Sequence, residues 1–364
     1  MKNNKHFVSI PYSFLCKWVL PLFLIVVLQV SVYYPSVVEK YYSIGVYPKI
    51  ASVLRSITGL FSFSIGDVLI GLLLLFLVFK IIRVVYLVIL GKIYWGCAGK
   101  AVFKYIRLLM WLYIAFNFLW GLNYNRMGIG GQLNMQPVHY STDELCDLTD
   151  SLIGKMNECR LQLGKDTILP EPAIESIYSN AVKSYGDVSS IYPVLQYKIP
   201  AIKSNMYGWL GAYLGYSGYY NPYTGEAQIR SDLPRVLLPY ITCHEMAHQL
   251  GYAGENEANF VGYLAASSSK DVYTRYSVYL DLYFYTRSEL YRRNTFPGGD
   301  VKMDSLVKKD IIAIRRFFLK EQMKTSQTAI DIYDAYLKAN HQNGIESYDE
   351  VIGWLIAYHK THPL

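Results

Sequence analysis

The sequence predicts an α+β protein. A mostly helical domain, residues 123–364, follows an N-terminal membrane domain, residues 1–122, that bundles three transmembrane helices. Three observations carry this reading. The long apolar stretches are confined to the first third of the chain, and that third holds the whole basic excess. Beyond it, apolar residues recur at helical spacing. One short Gly- and Tyr-rich patch breaks that spacing and reads as strands.

Of 364 residues, 52% are hydrophobic and 17% charged, against about 25% charged in a typical soluble domain. This excludes a disordered chain and argues against a wholly soluble one. Gly and Pro show no period, which excludes collagen-like classes. Residues 1–122 hold 12 Lys/Arg and 2 Asp/Glu, a balance of +10; residues 123–364 hold 23 and 26, a balance of −3. No basic domain is left for a nucleic-acid partner.

The spans are expected at about 18–34, 61–79 and 108–122. Each is near the ~20 apolar residues needed to cross the hydrocarbon core. A cleaved signal peptide competes for the first, but no small-x-small cleavage site follows it. A buried soluble helix competes for the third. Residues 41–60 read weakly as an interfacial helix. Six basic residues and no acid lie between Lys80 and Arg107, and Lys2, Lys5 and Lys17 precede the first span. Cytoplasmic loops carry such an excess, so residues 123–364 are expected outside the cytoplasm of a multi-pass protein of the plasma (inner) membrane.

After residue 123, Ser141-Thr142-Asp143-Glu144 is a capping-box pattern. It opens a helix with Leu145, Leu148, Leu152, Met156, Cys159 and Leu163 on one face. Asn221-Pro222-Tyr223-Thr224-Gly225 is a turn signal, with strands read at 216–220 and 226–230. Helices follow at 234–250, from Glu255, and at 271–294, 302–340 and 347–360. Breaks are read at Phe296–Gly299 and His341–Gly344. Cys146 and Cys159 on one helix lie about 20 Å apart, too far for a disulfide, and no structural disulfide is expected.

His244-Glu245-Met246-Ala247-His248 is an HExxH motif. With 7 His and 13 Glu in the chain, chance predicts about 0.005 such matches. Residues i and i+4 share a helix face, so both imidazoles can bind one metal ion. Glu245 does not ligate; it acts as general base on the water that the metal activates. A third ligand is needed, and Glu255 or Glu257 can supply it. Glu255 is preferred, because Asn259 follows it at i+4 and is placed to accept the outer ring N–H of a ligand histidine. His139, His341, His359 and His362 lie outside any motif and read as solvated. The Gly225–Arg230 strand is a candidate edge for pairing with an extended peptide, with an ordinary core hairpin as the alternative. A donor for the developing oxyanion is also required; with 35 tyrosines none is singled out.

HExxH followed by a helix bearing Glu255-Asn256-Glu257-Ala258-Asn259 resembles the gluzincin metallopeptidases. That resemblance implies zinc, with Glu255 as ligand and Asn259 at the usual Asp position. The connection after His248 is shorter than most gluzincins have. A wider resemblance rests on the three spans, Trp120–Tyr124, Tyr219–Ala227, the HEMAHQLGY stretch, Tyr336–Asn340 and Ser347-Tyr348. It is to a family of uncharacterised bacterial membrane proteins, named as a domain of unknown function with a zincin-like motif. It implies topology and site, and no substrate.

The sequence is thus read as a membrane-anchored zinc metallopeptidase with a zincin-like domain. Zn²⁺ is expected on His244, His248 and Glu255, Glu245 as general base, and a peptide or protein outside the cytoplasm as substrate. Two rivals stand beside this reading. One is a non-catalytic envelope scaffold with structural zinc, which needs a fourth protein ligand. The other is an intramembrane protease, disfavoured by Arg235, Glu245, Gln249 and two prolines within Pro234–Tyr252.

Overall fold

The structure is a computed structural model that describes residues 12–92, 95–295, 301–322, 326–339, 350–362 and 364. The breaks read at Phe296–Gly299 and His341–Gly344, His341 itself, Lys2 and Lys5 lie outside the described residues. Those described are mostly helical, with one small sheet.

Helix α1 (Tyr12–Val30) ends in a 3₁₀ turn. Pro35 then opens the short α2 (Pro35–Val37), where its missing N–H does no harm. A π-helical stretch, Val38–Val46, leads into α3 (Tyr47–Thr58). The stretches Lys17–Tyr33 and Pro35–Thr58 qualify as a membrane crossing only as a pair, bent by 103°. Helix α4 (Ile65–Ile89) is by itself long and apolar enough to cross, as is the Ala101–Leu119 part of α5 (Trp95–Leu119).

The helix limits differ from those expected at 61–79 and 108–122. Lys80 and Arg83 lie inside α4 rather than after it, because both residues favour helix and a charge alone does not end one. Trp120 leaves α5 after Leu119 and turns its indole into the domain. The helix expected at 41–60 is present, but its inner face is not free. Tyr47, Ala51, Arg55 and Thr58 are buried at spacings of four, four and three, against the sheet and the end of the HExxH helix.

After α5 the chain turns through Gly121–Asn125 into α6 (Gly128–Leu133). Helix α7 (Thr142–Gln162) starts at the expected capping box, Ser141 and Glu144 each satisfying the other's backbone. Leu145, Leu148, Leu152, Met156 and Cys159 form its buried face. Helix α8 (Ile174–Ser189), strand β1 (Ile202–Ser204), α9 (Gly208–Leu214) and strands β2 (Gly218–Asn221) and β3 (Glu226–Ile229) follow. Then come α10 (Leu238–Gln249), α11 (Glu255–Ser267), α12 (Val272–Arg292), α13 (Ser305–Gln322), α14 (Gln327–Ala339) and α15 (Val351–His359). The single helix expected over 302–340 is two, α13 and α14. Cys146, Cys159 and Cys243 are free thiols.

The hairpin sits where the turn signal placed it, but the sheet has a third strand. Its order is β1-β3-β2, with β1 parallel and β2 antiparallel to β3. Three residues, Ile-Lys-Ser, are too few to show alternation. Strand β3 is therefore central, and all four of its residues are buried. It cannot serve as the peptide-pairing edge expected at Gly225–Arg230. The unpaired edge beside it belongs to β2. Arg230 N donates to Ser217 O at 3.0 Å, so alternation turns the backbone of Gly218 and Tyr220 away from β3.

Candidate metal centre

Helix α10 runs through the centre of the domain. Pro239 lies in its first turn, where proline is preorganised for helix. Gly251, at φ +88, ends it in the left-handed conformation that glycine adopts at low cost. The chain folds back within four residues, and α11 starts at Glu255. Gly262 lets α11 lie directly on α10, since a methyl group there would come within 3.1 Å of the His244 backbone.

This path brings His244, His248 and Glu255 together. One ligand atom from each lies within 4.8 Å of the others. Glu255 Oε2 is 3.2 Å from His244 Nε2 and 3.7 Å from His248 Nε2. His248 and Glu255 are buried, and His244 keeps 11% of its side chain exposed. Two imidazoles and a carboxylate converging on one point can hold a metal ion. Glu257 is turned away, accepting the Ile129 N–H at 2.8 Å, and takes no part in this group. His139, His359 and His362 also lie outside it. His359 is not simply solvated, since its Nε2 meets the Tyr263 hydroxyl at 2.8 Å.

The electrostatics follow from burial and charge. Burial pushes the Glu245 carboxyl up, against the pull of His244 and His248, to about 7. Burial works to raise Glu255 as well, but His244 and His248 beside it hold it far below the usual range. For His248 burial lowers the affinity for a proton, yet Glu255 outweighs it and raises the ring to about 9.

Around the ligand group the structure adds partners that lie far off in sequence. His248 Nδ1 is 2.8 Å from the Tyr252 carbonyl, which orients the ring as the outer hydrogen bond of a metal-binding histidine does. That place had been expected for Asn259. Asn259 is buried one turn after Glu255, but its side-chain nitrogen has no partner. His244 Nδ1 has none either. Asp281 on α12 interacts with His244 electrostatically: burial raises its carboxyl to about 7 and His244 draws it back. The C-terminal end of α10 is bound from the side of the apolar helices. Trp120 Nε1 donates to His248 O at 3.0 Å and the Tyr47 hydroxyl to Gln249 O at 2.9 Å. Arg126 donates to Gly251 O at 3.0 Å while paired with Glu39 at 2.7 Å. Burial opposes the Arg126 charge, but Glu39 more than restores it.

Glu245 lies against β2. A Cβ at Gly218 would come within 2.7 Å of Glu245 Oε1 and 2.9 Å of Gln228 O, so the strand approaches the carboxylate only because residue 218 lacks a side chain. Glu245 Oε2 is buried without a hydrogen-bond partner. This carboxylate lies on the helix of the two histidines and against β2, and its unpartnered oxygen can accept a proton.

Fold and site together define a mostly helical protein with apolar helices long enough to cross a membrane and a buried His-His-Glu group able to hold a metal ion. The chain belongs to the family described as protein of unknown function DUF3810, whose model matches residues 42–356. No curated protein and no solved structure significantly matches it.

Proposed function

We propose that the protein is a membrane-anchored zinc metallopeptidase that hydrolyses peptide bonds outside the cytoplasm. The observation that carries this is the convergence of His244, His248 and Glu255, with Glu245 one position round the same helix and β2 alongside. Two neutral imidazoles and a carboxylate suit a zinc ion, with a fourth position open for chemistry. A zinc ion there would supply Lewis acidity, polarising a carbonyl and making water a nucleophile near neutral pH.

The chain's own groups do the remainder. Glu245 takes the proton from the attacking water and returns it to the leaving amine. Its burial suits this exchange, since a base poised near the working pH can both accept and release a proton. The outward backbone of Gly218 and Tyr220 offers an extended peptide a strand to pair with. The oxyanion donor is left unassigned. The basic residues around Lys80–Arg107 support an orientation with the site outside the cytoplasm.

The test uses the full-length chain, with zinc stoichiometry and digestion of a peptide library measured on wild type and Glu245→Gln. The variant should keep its zinc and lose cleavage by about 10²–10⁴-fold. Equal cleavage by the two proteins would overturn the mechanism. Zinc without cleavage in both would leave a structural metal as the better reading.

A further inference from the structure

Two segments beside the apolar helices, residues 204–225 and the lead into α4, residues 56–66, lie along their flanks, and the first is fastened to them at two points. Met206 N donates to Asp67 Oδ2, in the first turn of α4, at 2.6 Å, and the Tyr207 hydroxyl to Asp67 O at 3.1 Å. A side chain at Gly71, one turn further along α4, would strike that hydroxyl. At the tip of the β2–β3 hairpin, the Tyr223 hydroxyl donates to Leu112 O of α5 at 3.2 Å. Leu112 lies seven residues before the end of α5, about 10 Å along its axis. The medium around the outer ends of these helices therefore surrounds these segments too.

Their composition fits an apolar medium. No charged residue occurs from Ser204 to Gly225, or from Ser56 to Gly66. Yet large apolar side chains there stand exposed: Leu60 at 83%, Trp209 at 63%, Met206 at 52%, Phe63 at 47%, Tyr223 at 44% and Phe61 at 40%. A water-facing surface of soluble protein carries charge about once in every three or four residues. Trp and Tyr instead gather where a bilayer meets water. The two parts are joined, because Lys203, just before Ser204, bonds to the Phe61 carbonyl.

We propose that this collar of Leu60, Phe61, Phe63, Met206, Trp209 and Tyr223 is seated in the lipid bilayer that α4 and α5 cross, at the level of the headgroups and upper acyl chains. The domain is then anchored by its own surface as well as by its helices. Lipid is favoured as the occupant because the collar is continuous with the exposed apolar flanks of α4 and α5, and the charge that borders it, Lys203, is buried against the Phe61 carbonyl. The inference does not depend on the peptidase reading.

Tryptophan quenching on the full-length protein tests it. Wild type and Trp209→Phe are reconstituted in phosphatidylcholine/phosphatidylglycerol vesicles whose acyl chains are brominated near the headgroup. Their emission is compared with that in unbrominated vesicles, and acrylamide serves as the aqueous quencher. Trp209 is one of six tryptophans and is exposed, so its replacement should not disturb folding. The bromolipid-quenched emission should fall in Trp209→Phe by on the order of one tryptophan's share, with the acrylamide-quenched emission unchanged. A control, Leu161→Trp in the Trp209→Phe protein, places a probe at an exposed site on α7 and should respond to acrylamide alone. If Trp209→Phe instead reduces only the acrylamide-quenched emission, the collar faces water and the proposal fails. If it changes neither, protein covers Trp209, as a second copy of the chain would, and the proposal fails as well.

Discussion

His244 and His248 share one helix face but are held by different parts of the molecule. His248 is fixed from the side of the apolar helices. Its carbonyl accepts Trp120, the next carbonyl accepts Tyr47, and its outer ring nitrogen meets Tyr252 O. His244 lies among the helices of the domain. Its outer nitrogen has no hydrogen bond, Asp281 and His244 attract each other, and Gly262 presses on its backbone. One ligand is thus oriented by its outer hydrogen bond. The other is oriented by packing and by Glu255. Substitutions on the His248 side should act mainly on stability, and those on the His244 side mainly on metal affinity.

The largest expected effect falls on both sides alike. His244→Ala, His248→Ala and Glu255→Ala should each lose the bound metal, because three protein ligands are the minimum for such a site. Metal analysis of purified proteins checks this. Retention by Glu255→Ala together with loss in Glu257→Ala would mean that α11 is turned the other way. Next comes Gly218→Ala. It should leave the metal in place and displace Glu245, and a displacement of about 1 Å can cost 10²-fold in rate. A variant with unchanged cleavage would show that β2 can yield.

The comparison sharpens with Asp281→Asn. If the Asp281 charge supports His244, zinc affinity measured against a chelator should weaken about 10–100-fold. An unchanged affinity would remove the distinction drawn between the two histidines. Glu257→Ala should keep the metal but leave the Ile129 N–H without its acceptor, costing about 1–3 kcal/mol in thermal or denaturant unfolding. The smallest effect is expected for Trp120→Phe. Losing its bond to His248 O should cost about 0.5–1.5 kcal/mol, with zinc affinity changed much less than in Asp281→Asn.

The parts of the molecule legible in the sequence are those encoded within a few residues. The Ser141 capping box, the α7 apolar face, the Asn221–Gly225 turn, Gly251 and the spacing from His248 to Glu255 all lie inside short windows, and the structure holds each of them. Strand β1 was missed because three residues carry no period. The central place of β3 follows from β1 and was missed with it. Asp281, Trp120, Tyr47 and the Glu39–Arg126 pair reach α10 from well outside its own window, and nothing local marks them. Asn259 shows the converse, since correct spacing from Glu255 did not bring its amide to the outer nitrogen of either histidine.

The cap on α10 also sets an order in time. Tyr47, Trp120 and Arg126 bond to the carbonyls at the end of the HExxH helix, and two of the three precede residue 123. A ribosome releases those residues long before it makes His244. The Tyr47 and Trp120 donors find these carbonyls only on a helix made more than 100 residues later. The group of His244, His248 and Glu255 then comes together only after both ends of this contact have been made. A chain cut at residue 123 would be born without Tyr47 and Trp120.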